Sequence, residues 1–304
     1  MRSMPTGTSS IAASATTRVW IPDLMATAHY HQAAQLIAKM AAILGRAADQ
    51  TRYTELATEI GEAFVDRFLV PGTGGFDLGT QACQATALTM GLVPDVERQA
   101  AVDRMVEQVV VEHGGHIAAG IFGTKYLLEE LTRAGHADVA YEMVRTREFP
   151  GWGYMLDRGA TTLWEHWEFS DNIYSHNHPM FGSVSEWFFK GIGGLRPDDE
   201  AVGFNRFHIA PNVVGDLSWA QTTVRGARGR MDSNWYREDG NLYITAVVPV
   251  NAQAQVRIPT SDISQVTEGG IAAADARNVR QLTSTETHAR FLVGSGRYEF
   301  KAPL

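Results

Sequence analysis

Between residues 27 and 44 the apolar side chains Tyr30, Ala34, Ile37, Ala41 and Leu44 recur at intervals of three and four. That spacing lines one face of an α-helix, and Gly45 stops it. Residues 52–69 repeat the pattern with Leu56, Ile60, Phe64 and Phe68 and end at Pro71-Gly72. An Ala-rich stretch over 80–92 carries Cys83 and closes before Pro94, and Asp95 caps a fourth helix reaching about residue 112. Two more helices, at 123–134 and 136–147, are separated by Gly135. A seventh spans 180–190, with Val184, Trp187 and Phe188 on one side. The connections at 71–79, 113–120 and 149–162 are rich in turn residues and lack a strand pattern, which predicts antiparallel helical hairpins. After Pro197 the period changes from helical to alternating. Short segments such as RFHIAP, NLYITAVVPV, AQVRIP and RYEFKAP are punctuated by Gly, Asn, Asp or Pro. They predict an antiparallel β-sandwich. The chain thus divides into an irregular segment over 1–26 with Trp20 and Ile21 docking near its end, a helical part over 27–200, and a β-sandwich over 201–304.

Composition narrows the function classes. The 304 residues suffice for about two domains. With 26 basic and 34 acidic residues the net charge is −8, and the basic residues are scattered, so no nucleic-acid partner is expected. A single cysteine excludes an internal disulfide and a CxxC metal site. Cys83 sits in an apolar helical setting with no neighbouring base, which predicts an inert buried thiol. No apolar run approaches the ~18 residues of a membrane span, and the first 26 residues lack a continuous apolar core, so a cytoplasmic protein is expected. His29 and His31 point about 200° apart around a helix and cannot chelate together. Arg225, Arg228 and Arg230 read as the solvated rim of a β-hairpin. No metal, calcium loop or cofactor site is indicated.

The densest chemistry lies at 151–178, GWGYMLDRGATTLWEHWEFSDNIYSHNH, where Trp152, Tyr154, Trp164 and Trp167 accompany Asp157, Glu165, Glu168, Asp171, His176 and His178. Flat rings beside carboxylates suit a sugar pocket: rings stack on pyranose C–H faces, and acids bond hydroxyls or move protons. The same pattern also suits an ordinary tryptophan-rich core. Glu165, between two tryptophans, has the surroundings of a general acid or base, or of a plain surface carboxylate. His176 and His178 share a side in an extended segment, but no third ligand is spaced to match. His113 and His116 border a glycine turn that could approach a ligand.

At GATTLWEHW, residues 159–167, the chain resembles the bacterial α-L-rhamnosidases, a family of inverting glycoside hydrolases. The resemblance continues into SHNHPMFGSVSEWFFKGIGGLRP, upstream into GGHIAAGIFGTKYLLEEL, and downstream into FHIAPNVVGDLSWAQTTVRGARGRMDSNW, and runs from about residue 27 to the end. It implies an α+β multidomain fold, a partial (α/α)6 toroid of helical hairpins followed by the sandwich. It also implies inverting hydrolysis of terminal α-L-rhamnosides. Glu165 matches the family's general base, His178 the histidine that bonds the sugar, and Trp164 and Trp167 the flanking aromatics. Trp152 and Tyr154 line the pocket, and His116 belongs to its glycine-rich turn. Two features depart from the family. The turn reads His116-Ile117-Ala118-Ala119-Gly120 where the family carries hydroxyls, and the Arg-Asp-Glu type motif that holds the general acid is absent from residues 1–26. The expectation is a shortened enzyme, weak or inactive alone, acting on a rhamnosylated glycoside or oligosaccharide. A second copy or a separate N-terminal half would complete it. Two other readings stay open: a toroid-type polysaccharide lyase using Tyr154, His116 or His178, and a non-catalytic sugar-binding or scaffolding module.

Overall fold

The computed structural model describes residues 22–171, 174–260 and 262–304. The expected docking of Trp20 and Ile21 lies outside them. The chain forms two compact units: residues up to Leu131 with Thr146–His176, and Thr132–Arg145 with Asn177–Leu304.

The first unit begins with a helical hairpin, α1 (Pro22–Ile43) and α2 (Ala47–Phe68). Ala34, Leu56, Ala57 and Ile60 pack together between them. Pro22 in the first turn explains why α1 starts before Thr27: proline is tolerated there because its missing N–H has no helical partner to lose. Phe64 and Phe68 continue the apolar face of α2, and Phe64 meets Phe76 at 5.8 Å between ring centroids. Phe76 belongs to a two-stranded hairpin, β1 (Leu69–Val70) and β2 (Gly75–Phe76), which begins at the last residue of the expected helix and runs into a segment the pattern marks only as turn. Gly74 allows that hairpin to form: its φ is +65°, and a Cβ there would lie 2.3 Å from the Ala100 backbone.

Next come α3 (Gln81–Thr89), capped by the Thr80 side chain, and α4 (Arg98–Glu107), which runs on as a π-turn over Gln108–Glu112. Then follow α5 (Thr124–Arg133), α6 (Ala137–Arg145) and the short α7 (Trp152–Asp157). α7 is the eighth helix that the sequence pattern misses, because Gly151 and Gly153 make its first turn read as loop. The predicted helix over 180–190 is divided. A 3₁₀ turn precedes α8 (Ser183–Trp187), and a π-turn over Phe188–Ile192 follows it.

The second unit carries two sheets. The six-stranded sheet has the order β10 (Ile271–Ala272), β9 (Thr267–Glu268), β13 (Gly296–Pro303), β7 (Asn241–Val248), β6 (Gly229–Glu238), β5 (Trp219–Gly226). The five-stranded sheet runs β11 (Val279–Gln281), β12 (His288–Val293), β8 (Gln253–Pro259), β4 (Arg206–Ile209), β3 (Leu195–Pro197). All pairings are antiparallel except β4 with β8, which is parallel. Burial alternates along β7, β8 and β12, so each strand turns one face inward. Phe291 of one sheet stacks on Phe300 of the other, 5.6 Å between centroids. The Trp235 indole donates to the Ile192 carbonyl at 2.9 Å, tying β6 to the chain that enters the sheets. Gly194 is required at that entry: its φ is +67°, and a Cβ would fall 2.0 Å from the Ala210 carbonyl carbon.

Candidate active site

In the first unit, the loop after α7 folds back on itself around Glu165. The Glu165 N–H donates to the Ser175 carbonyl at 2.8 Å, and the Ser175 N–H donates to Glu165 Oε2 at 2.9 Å. The first bond fixes the backbone and the second aims the carboxylate. A backbone donor to a carboxylate is charge-assisted and so stronger than a neutral bond. Thr162 Oγ1 donates to the His176 carbonyl, and an imidazole nitrogen of His176 lies 2.6 Å from the Ser170 carbonyl. These bonds lace the two limbs of the loop together.

The tryptophans anchor the loop. Trp152, Trp164 and Trp167 are buried, whereas Tyr154, Glu165 and His116 are half-buried. Trp152 meets Trp167 edge-on at 5.0 Å, and the Trp167 indole donates to the Ala119 carbonyl at 2.9 Å. That bond joins the loop to the glycine-rich turn at 113–120. Trp164 packs edge-on against Phe169 at 5.1 Å, and His176 lies 4.7 Å from the Phe169 ring. The tryptophan rings are therefore taken up by edge-on packing with one another and with Phe169, rather than presented as an open stacking platform. Tyr154 is held between the Phe149 ring at 5.0 Å and the Arg158 guanidinium, 3.5 Å above its centroid.

A buried glutamine of α3 holds the turn. Gln81, 1 % exposed, donates from Nε2 to the His116 carbonyl at 3.0 Å and accepts from the Ala118 N–H at 2.7 Å. His116 Nε2 lies 3.6 Å from Glu148, while its buried Nδ1 has no hydrogen-bond partner among the described residues. The structure thus brings Trp167, Glu165 and Trp164 onto one braced loop, packs Trp152 of α7 against Trp167, and bonds the loop to the His116 turn. His178 belongs to the second unit, where its Nδ1 accepts from the Met180 N–H at 3.4 Å. No group of three His, Cys, Asp or Glu side chains converges as a metal site among the described residues. None of the described helices is long and apolar enough to cross a membrane. Cys83 is fully buried, and burial pushes its thiol pKa up.

Sequence reasoning misses two contributors. Ser175 acts through its backbone N–H, which no residue type signals. Gln81 and Gln84 did leave a trace: they are polar positions three apart in a helix otherwise built of Ala, Cys, Thr and Leu.

A family model of the bacterial α-L-rhamnosidase 6 hairpin glycosidase domain matches residues 15–192. The chain belongs to the bacterial α-L-rhamnosidase family. A second model, of the bacterial α-L-rhamnosidase C-terminal domain, matches residues 194–272. The α-L-rhamnosidase of Streptomyces avermitilis is 35 % identical over 288 residues, which are 91 % of this chain and 26 % of that protein. Its crystal structure in complex with L-rhamnose superimposes with a TM-score of 0.84 at 34 % identity, covering 92 % of this chain and 27 % of that one. The α-L-rhamnosidase from Dictyoglumus thermophilum gives the same TM-score at 32 % identity, covering 91 % and 31 %. The chain therefore spans about a quarter to a third of the rhamnosidases it matches. Helical hairpins followed by β-sheets are the architecture of this family.

Proposed function

We propose that this chain carries the base side of an inverting α-L-rhamnosidase site, with Glu165 as general base. The observation that carries the reading is the Glu165 carboxylate, half-buried and bonded by the Ser175 N–H on a loop that also carries the buried Trp164 and Trp167. In this mechanism Glu165 takes a proton from the water that attacks the anomeric carbon, as the glycosidic bond on the opposite face breaks. Trp164, Trp167, Trp152 and Tyr154 shape the pocket, and His116 bonds sugar hydroxyls; by the family resemblance His178, in the second unit, is assigned a sugar-bonding role. The rhamnose bound to the S. avermitilis relative supports a terminal rhamnoside as the substrate. Residues 27–200 carry the site in this reading, and 201–304 form the supporting sandwich.

Inversion also needs an acid carboxyl about 6.5–9.5 Å from the base to protonate the departing oxygen. The motif that supplies it in the family is absent from residues 1–26. We assign that role to polypeptide other than these 304 residues, either a separate half or a longer parent chain. The consequence is selective. A leaving group stable as its own anion, such as p-nitrophenolate, departs without an acid, whereas an alkyl or sugar alcohol does not.

The test is hydrolysis of p-nitrophenyl α-L-rhamnoside by the chain alone. General-base catalysis contributes roughly 10²- to 10⁴-fold, so Glu165→Gln is expected to lower kcat/KM by that factor. Activity equal to wild type would overturn the assignment of Glu165. Rhamnose binding without turnover in either protein would favour a sugar-binding module instead.

A further inference from the structure

The outer face of the five-stranded sheet is basic, and its charges are not balanced within the fold. The register puts Arg280, Leu292, Gln255, His208 and Arg196 in one row across all five strands. The next positions along the strands set Arg290 directly opposite Arg257. The alternate residues of β8 and β12, among them Val256, Ile258 and Phe291, point inward and are buried, so the arginines share the outward side. Carboxylates gather at only one end, where Asp198 lies 3.3 Å from Arg206 and 3.9 Å from His208, and Glu200 lies 3.8 Å from Arg206. Arg196, Arg257, Arg280 and Arg290 have no ion-pair partner among the described residues.

Like charges directly opposite on neighbouring strands destabilise a sheet, and Arg257 and Arg290 do so half-buried. The Nε of each is buried without a hydrogen-bond partner among the described residues, as is Nδ1 of His208. A polar group left in that state is destabilising. Burial, together with the neighbouring arginines, pushes the guanidinium pKa values of Arg196 and Arg257 down. Toward its β11 edge the face opens into a depression lined by Gln253, Arg280 and Leu292.

We infer that this sheet face binds a carboxylate-bearing sugar chain, its uronate groups pairing with Arg257, Arg290 and Arg196 and its hydroxyls with Gln253 and Gln255. Guanidinium groups match planar carboxylates fork to fork. Arg280 and Arg196 stand on the two edge strands, four strand intervals or about 19 Å apart, so a single small anion cannot satisfy the whole row. Protein partners are anchored chiefly by aromatic rings and arginine. This face has the arginines, but its outward positions on β8 and β12 offer only Leu292 as a large apolar contact. A polyhydroxylated anion fits it better than an acidic peptide does. The site is separate from the proposed hydrolytic loop, so binding here stands or falls independently of rhamnoside turnover.

The experiment is calorimetric titration of the intact chain with an oligogalacturonate at low salt, beside neutral dextran, dextran sulfate and poly-glutamate. Saturable oligogalacturonate binding, absent with dextran and weakened by salt, is expected. Arg257→Gln with Arg290→Gln should weaken it by about tenfold or more, the worth of one charge-assisted bond, with the thermal melt retained. Exposed Arg280→Gln serves as a second variant that does not touch the half-buried pair and should weaken it severalfold. No oligogalacturonate binding, binding indifferent to all three substitutions, or binding confined to dextran sulfate or poly-glutamate would overturn the proposal.

Discussion

The bond from the Ser175 N–H to Glu165 makes a sharp prediction, because it is a backbone donor that one substitution removes and another spares. Ser175→Pro eliminates the N–H while keeping the carbonyl that accepts from Glu165. At 2.9 Å to an ionised, half-buried carboxylate, such a bond is worth about 1.5–3 kcal/mol. If the whole of it orients the base at the moment of attack, kcat/KM for p-nitrophenyl α-L-rhamnoside falls by about 10- to 150-fold, at 1.4 kcal/mol per decade. The loss should sit mainly in kcat, since a misaimed base impairs proton transfer more than sugar binding. Ser175→Ala keeps the N–H and is expected to retain most of the activity, which separates the donor from the side chain. A thermal melt of both variants guards against collapse of the loop. Wild-type turnover in a folded Ser175→Pro protein would refute the reasoning, and so would an equal loss in Ser175→Ala.

Other predictions follow from buried polar groups. Gln84 is fully buried and bonds the Phe76 N–H at 2.7 Å and the carbonyls of Gly74 and Ala101 at 2.8 and 3.2 Å. Gln84→Leu removes all three bonds and strands the Phe76 N–H, so urea titration should show a loss of about 3–5 kcal/mol; less than about 1 kcal/mol would mean the hairpin is held by its strands alone. His31 is 6 % exposed, and burial pushes its pKa below the ordinary 6.5. The folded state thus favours neutral imidazole. That contribution is fully present above pH 6.5 and is lost as the pH falls through the lower folded value. Tm should therefore drop between pH 7 and 5 with a shallower slope in His31→Gln, and equal slopes would contradict it.

How far the sequence reaches depends on the range of the interaction involved. The hairpin α1–α2 and the change of period after Pro197 rest on local spacing, and both are legible. The tryptophan-rich segment and the GATTLWEHW motif fall on α7 and the loop after it. Burial of Trp152, Trp164 and Trp167 is a distinction that spacing does not encode. α7 escapes because two glycines outweigh a six-residue helix, and the parallel β4–β8 pair escapes because nothing in either strand names its neighbour. The Glu165–Ser175 clasp joins residues ten apart through main-chain atoms. The basic sheet face exists only once register has set Arg257 beside Arg290. In sequence these are isolated arginines of the kind that normally edge a solvated strand.

The central claim, that Glu165 activates the attacking water, is tested most directly by chemical rescue. Azide needs no deprotonation, so it can attack the anomeric carbon without a base while p-nitrophenolate leaves from the opposite face. Glu165→Gln with p-nitrophenyl α-L-rhamnoside is expected to regain turnover as azide is added, and NMR should show the product to be β-L-rhamnosyl azide. Wild-type protein should give free rhamnose that is β at first release. No rescue by azide, or a rescued product of α configuration, would contradict the account.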